Sequence, residues 1–116
     1  MEDSRVNASH ITASSEYGDK RLAKYARLNS PDNSAWCASH NDSVDEWLQI
    51  DLLSIRAVTG VVLQGRSQGN PDGEWVTEFK VSYSLDGVSY RYLLDTETTI
   101  DKVRVITKVY HQHIFR

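Results

Sequence analysis

Residues 46–66, EWLQIDLLSIRAVTGVVLQGR, constrain the fold more than any other stretch. WLQIDL at 47–52 alternates: Leu48, Ile50 and Leu52 fall on one face, and Trp47, Gln49 and Asp51 on the other. A period of two over six residues is the mark of a strand with one face turned to a core. Residues 58–63 form a short apolar, β-branched run, which predicts a second strand buried on both sides. SIRA at 54–57 breaks the pattern and is expected to connect the two, and Gly65 ends the second run. A polar loop with Gly and Pro follows. A buried strand pair that feeds a long loop is a plausible scaffold for a binding site.

The second half carries the clearest β signal. Trp75, Thr77, Phe79, Val81 and Tyr83 share one face, while Glu78, Lys80, Ser82 and Ser84, with Val76 among them, share the other. This predicts a half-solvated antiparallel strand. Asp86-Gly87 tolerates positive φ and predicts a tight hairpin turn. Residues 88–94 then return, with Val88, Tyr90, Tyr92 and Leu94 alternating, and residues 103–110 make one more strand with Val103, Val105, Thr107 and Val109 on one face. Residues 11–15 suit a short strand, and a polar loop at 16–25 holds at most one helical turn, at 21–24. No stretch sustains a helical period. The expected class is an all-β sandwich or barrel of short strands and long polar loops.

At 116 residues the chain is expected to be one domain with a small core. Its net charge of −3 gives no electrostatic basis for binding nucleic acid or an anionic membrane. No run approaches the roughly 18 apolar residues of a membrane helix. No N-terminal stretch has the order of a signal peptide, so any secretion signal lies on a larger precursor or the protein is intracellular. Cys37 is the single cysteine; taken alone, it favours a reducing compartment or a fragment. Beside Trp36, it reads as a buried small hydrophobe rather than a nucleophile.

Several motifs occurring in one order carry a family resemblance: ITASSEY at 11–17, ARLN at 26–29, AWCA at 35–38, EWLQIDL at 46–52, VTGVVLQGR at 58–66 and WVTEFKVSYSLDG at 75–87. Together they resemble the discoidin domain, also called the coagulation factor V/VIII type C domain. The resemblance implies an eight-stranded, distorted jelly-roll β-sandwich of the galactose-binding-like kind, here lacking its closing C-terminal strand. It also implies an extracellular, non-catalytic module for adhesion or recognition, which binds through spike loops at one end of the sandwich. Members usually close with a terminal disulfide, and both of its cysteines are absent here. A fragment of a larger mosaic protein is therefore expected. If complete, the chain should be marginally stable or pair its open edge with another chain, because losing such a disulfide typically costs about 2–5 kcal/mol.

Matching places the spike loops at 16–25, 40–45 and 65–74. Tyr17, Lys20, Arg21, Leu22, Tyr25, Asn41, Asp42, Arg66, Asn70, Asp72 and Trp75 are the candidate ligand-binding residues, since aromatic faces and Arg forks suit sugars and carboxylates. Arg27, Trp36, Trp47 and Asp51 are assigned structural roles, with an Arg27–Asp51 ion pair beneath the spikes. The expected partner is a cell-surface or matrix protein or a glycan. The alternatives are a carbohydrate-binding accessory domain of a carbohydrate-active enzyme and an anionic phospholipid-binding module; few apolar tips and several loop carboxylates disfavour the last. No cofactor is expected. Asp42, Asp45 and Asp72 are weak Ca2+ candidates without EF-hand spacing, and turn carboxylates more commonly bond to backbone. His111 and His113 have a chelating spacing without a third ligand and read as a surface strand pair. Asn7-Ala8-Ser9 and Asn41-Asp42-Ser43 are glycosylation sequons, meaningful if the chain is secreted. A glycan on Asn41 would sit on a spike loop. No nucleophile–base set or carboxylate pair stands at a motif spacing, so no enzyme is expected.

Overall fold

A computed structural model describes residues 6–32, 34–39, 46–66, 75–76, 78–94 and 100–111. The strands are β1 (Ile11–Ala13), β2 (Glu46–Val58), β3 (Glu78–Ser84), β4 (Arg91–Tyr92) and β5 (Ile100–His111). They form one sheet in the order β1-β2-β5-β3-β4, and every neighbouring pair is antiparallel. Two single-turn 3-10 helices, Ala8–His10 and Ala23–Tyr25, precede β2, and no α-helix occurs among the described residues. The all-β expectation holds. The helical turn expected at 21–24 is the 3-10 turn at Ala23–Tyr25.

The spine is the pair β2·β5, whose register runs from Glu46↔Tyr110 to Val58↔Ile100. The period-two pattern of β2 acts as the sequence requires: Leu48 and Ile50 are buried, while Trp47, Gln49 and Asp51 are half-buried. Leu48 and Ile50 join Val6, Ile11 and Ala23 in one core cluster, and Val81, Ile100, Val103 and Ile106 make a second. Leu52 packs against both. Each buried Val, Leu or Ile side chain contributes about 1.5–3 kcal/mol, and Leu52, packed on both clusters, lets β2 join them.

Three expectations are corrected. Residues 54–57 do not turn; they continue β2. Asp51 Oδ1 accepts from Leu53 N at 2.8 Å, and Leu53 takes φ 67°, so the strand bulges there and resumes with Arg56 opposite Val103. The run 58–63 is consequently not a buried strand. β5 already has β2 on one edge and β3 on the other, which leaves the run no place at the spine, and Val61, Val62 and Leu63 are exposed, Val62 at 71%.

The hairpin after β3 is the third correction. Its turn is wider than two residues, because pairing resumes only at Tyr83↔Arg91 and Ser82↔Tyr92. Asp86 Oδ1 accepts from Ser84 Oγ at 3.0 Å, Val88 N at 2.8 Å and Ser89 N at 2.9 Å, and Gly87 takes φ 78° with its N–H on Ser84 Oγ. The loop folds back over the sheet: Tyr90 OH donates to Gln49 Oε1 on β2 at 3.3 Å. This cover buries Ser82 and Ser84 on what the pattern gives as the solvated face, while Phe79 on the other face is exposed. Val88, Tyr90, Tyr92 and Leu94 are all exposed, and it is Leu93 that packs on the second core.

Candidate functional site

The first loop is held from inside and from below. Glu16 Oε1 accepts from Ala23 N at 2.7 Å, which closes the loop onto the 3-10 turn, and Gly18 supplies a φ of 71° within it. Segment 35–37 runs alongside: Tyr17 N donates to Cys37 O at 2.9 Å, Ala35 N to Lys20 O at 3.3 Å and Cys37 N to Arg21 O at 3.2 Å. Cys37 is buried, as expected. Trp36 Nε1 donates to Ser15 O at 2.9 Å, which fixes the indole with its polar edge satisfied. Below these, buried Glu46 accepts from Ser14 Oγ and from Ser15 Oγ, the latter at 2.7 Å.

A cleft of about 360 Å3 opens where this loop meets the chain after β2 and the chain before β3. Leu48 and Ile50 form part of its apolar lining, Tyr25, Trp36 and Trp75 give it aromatic surface, and Arg27 and Gln64 add polar groups. Gln64 ties two of its walls together: Asn29 N donates to Gln64 Oε1 at 2.7 Å, and Gln64 Nε2 donates to Asn29 Oδ1 at 3.3 Å. Asn29 adopts φ 55°, a left-handed conformation that asparagine tolerates better than most residues, so its amide can face Gln64. Lys24 Nζ lies 5.0 Å from the centroid of the Tyr25 ring. Val62, Leu63 and Trp75 are exposed members of the lining.

The expected site residues divide. Tyr25 and Trp75 line the cleft, as do Arg27 and Trp36 from the structural set. Tyr17, Lys20, Arg21 and Leu22 belong to the pinned loop but not to the cleft lining, and Arg66 follows directly on its Gly65. Trp47 is half-buried on β2. The expected Arg27–Asp51 pair is corrected: Asp51 bonds Leu53 N and lies 3.6 Å from Arg104 Nε, while Arg27 donates to Val6 O. The bulge at Leu53 claims the Asp51 carboxylate locally. Asn41, Asp42, Asp45, Asn70 and Asp72 lie outside the described residues, as does His113. Among the described residues no three His, Cys, Asp or Glu side chains gather as metal ligands. Sequence reasoning missed Asn29, Gln64, Val62 and Leu63. The signal for the last two was the apolar run itself, read as a buried strand.

Comparison with known proteins places this geometry. The family model of the F5/8 type C domain matches residues 10–114. Sus scrofa lactadherin is 43% identical over 98 residues, which cover 78% of this chain and 23% of that protein. Mus musculus coagulation factor V is 34% identical over 108 residues, 89% of this chain and 5% of that protein. The chain thus spans less than a quarter of the length of either. Among solved structures, a Clostridium perfringens carbohydrate-binding domain, CpGH89CBM32-5 in complex with GalNAc-β-1,3-galactose, superposes with a TM-score of 0.67 at 19% identity, covering 92% of this chain and 88% of that one. The family-32 carbohydrate-binding module of NanJ from the same species, in complex with galactose, gives a TM-score of 0.63 at 17% identity, covering 94% of this chain and 87% of that one. Those two likenesses concern the fold; the sequence motifs, the antiparallel sheet and the family match together show that the chain belongs to the F5/8 type C, or discoidin, domain family.

Proposed function

We propose that the chain is a non-catalytic recognition module that works outside the cell and takes a protein or glycan ligand in the cleft where the end of its first loop meets segments 62–65 and 75–76. The observation that supports this is the cleft: aromatic surface from Tyr25, Trp36 and Trp75 beside the Asn29–Gln64 amide pair and Arg27. Apolar faces with a few fixed polar groups are what a small, oriented ligand needs. The kinship with lactadherin, factor V and Homo sapiens epithelial discoidin domain-containing receptor 1 supports the extracellular setting. A carbohydrate-binding accessory role is the second reading, supported by the two galactose-containing complexes of the same fold.

The test is a binding screen of the purified chain on arrays of glycans and matrix proteins, followed by titration of the best ligand. Trp75→Ala should weaken binding at least about tenfold, some 1.4 kcal/mol, as loss of an exposed aromatic anchor does. Tyr92→Ala, on β4 and away from the cleft lining, should leave affinity unchanged. Saturable binding to one simple sugar favours the accessory role; equal affinities for Trp75→Ala and the parent chain would refute the cleft as the site.

A further inference from the structure

Asn7 lies outside the cleft lining, and its surroundings point to a covalent modification. It begins Asn7-Ala8-Ser9, an acceptor sequence for N-linked oligosaccharide, and it is exposed just before β1 as the N-cap of the first 3-10 turn. Its side-chain bonds among the described residues all fall on the carbonyl oxygen. Ser9 N donates to Asn7 Oδ1 at 3.0 Å, Ser9 Oγ donates to the same atom, and His10 Nδ1 lies 2.8 Å from it. The hydroxyl that defines the acceptor sequence is therefore already seated on the amide it serves. The nitrogen Nδ2, the atom a glycan would occupy, takes part in none of these contacts. Neighbouring Val6 is buried in the core and its carbonyl receives Arg27, so the backbone holds Asn7 in place at the surface.

We propose that Asn7 is an N-glycosylation site of this domain, a proposal that rests on the extracellular reading above. In the transfer, Asn7 Nδ2 forms a bond to C1 of a lipid-diphosphate-linked oligosaccharide. The C1–O bond to phosphate breaks, the lipid diphosphate leaves with the electron pair, and the amide nitrogen loses one proton. Oδ1 keeps its three contacts afterwards, so the glycan costs the fold none of them.

The test expresses the full chain behind a cleavable secretion signal in a eukaryotic cell and examines its tryptic peptides by mass spectrometry, with and without peptide N-glycosidase. The peptide 6–20 contains Asn7 and no other asparagine, so it separates this site from Asn41. The expected result is a glycosylated 6–20 peptide that Ser9→Ala abolishes and Ser9→Thr retains. The secreted and deglycosylated forms should melt at the same temperature. An unmodified 6–20 peptide overturns the proposal, whether or not Asn41 carries sugar. Binding measured on the deglycosylated chain reads the recognition role separately, so the two can fail independently.

Discussion

Leu53 carries a conformation that costs it stability. A left-handed φ in a residue with a bulky side chain is unfavourable by about 1–2 kcal/mol, and Leu53 holds it at 67° because the Asp51 carboxylate pins its N–H. Leu53 is also 45% exposed, so its side chain returns little of that cost through burial. Leu53→Asn should raise stability by about 1 kcal/mol, and Leu53→Val should lower it by a similar amount, read from denaturation midpoints. Asp86 offers a pH-dependent counterpart. Bonds from Ser89 N, then Val88 N, then Ser84 Oγ hold its carboxyl below the ordinary value of 3.8. A depressed folded-state pKa means that its contribution is present above the unfolded value and is lost as pH falls through the folded one. Asp86→Asn should therefore flatten the stability profile below pH about 4 and leave its shape unchanged near neutrality, as thermal melts across that range would show.

At the scale of elements, the join between β1 and β2 rests on Ser15 as much as on strand pairing. Its hydroxyl donates to buried Glu46, its Oγ accepts from Ser39 N at 3.0 Å, and its carbonyl receives the Trp36 indole. Ser15→Ala removes the two hydroxyl bonds, one of them to a buried carboxylate, and should cost about 1.5–3 kcal/mol in chemical denaturation. How much of this framework the sequence disclosed depends on which interactions set each element. β1 and β5 were located as strands, but β5 buries adjacent Val105 and Ile106, so both of its faces are covered where one was expected. The first half of β2 was legible, because alternation fixes a strand with one covered face. The continuation of β2 through 54–57 was not, since it depends on a carboxylate bonding two residues ahead. Exposure at 61–63 was not either: an apolar β-branched run states a preference for burial, and the sheet order denies it a partner. Asp86-Gly87 announced a turn, yet three acceptor bonds on one carboxylate widened it. In the site, Tyr25 was found by residue type on a matched loop and Trp75 as an aromatic residue directly after one, whereas the Asn29–Gln64 pair joins residues 35 positions apart and has no local signature.

For the whole molecule, charge and apolar surface together decide between a soluble partner and a membrane at the cleft. Exposed Val62, Leu63 and Trp75 at the cleft supply apolar area that could enter a bilayer. Charge argues against an anionic one. The three loops matched to the spikes carry Lys20, Arg21, Lys24 and Arg66 against Glu16, Asp19, Asp42, Asp45, Asp72 and Glu74, and the chain is at −3 overall. Near an anionic leaflet each basic residue gains about 1 kcal/mol, and carboxylates lose on the same scale, so the loops have no net attraction to offset dehydration. Apolar insertion alone would act equally on neutral lipid. The expected outcome of vesicle sedimentation is thus the same bound fraction on neutral vesicles and on vesicles containing phosphatidylserine, at low salt and at physiological salt. A bound fraction that rises with anionic lipid and falls with salt would show that the loops present their cations and hide their carboxylates, and would move the ligand from a soluble partner to the membrane surface.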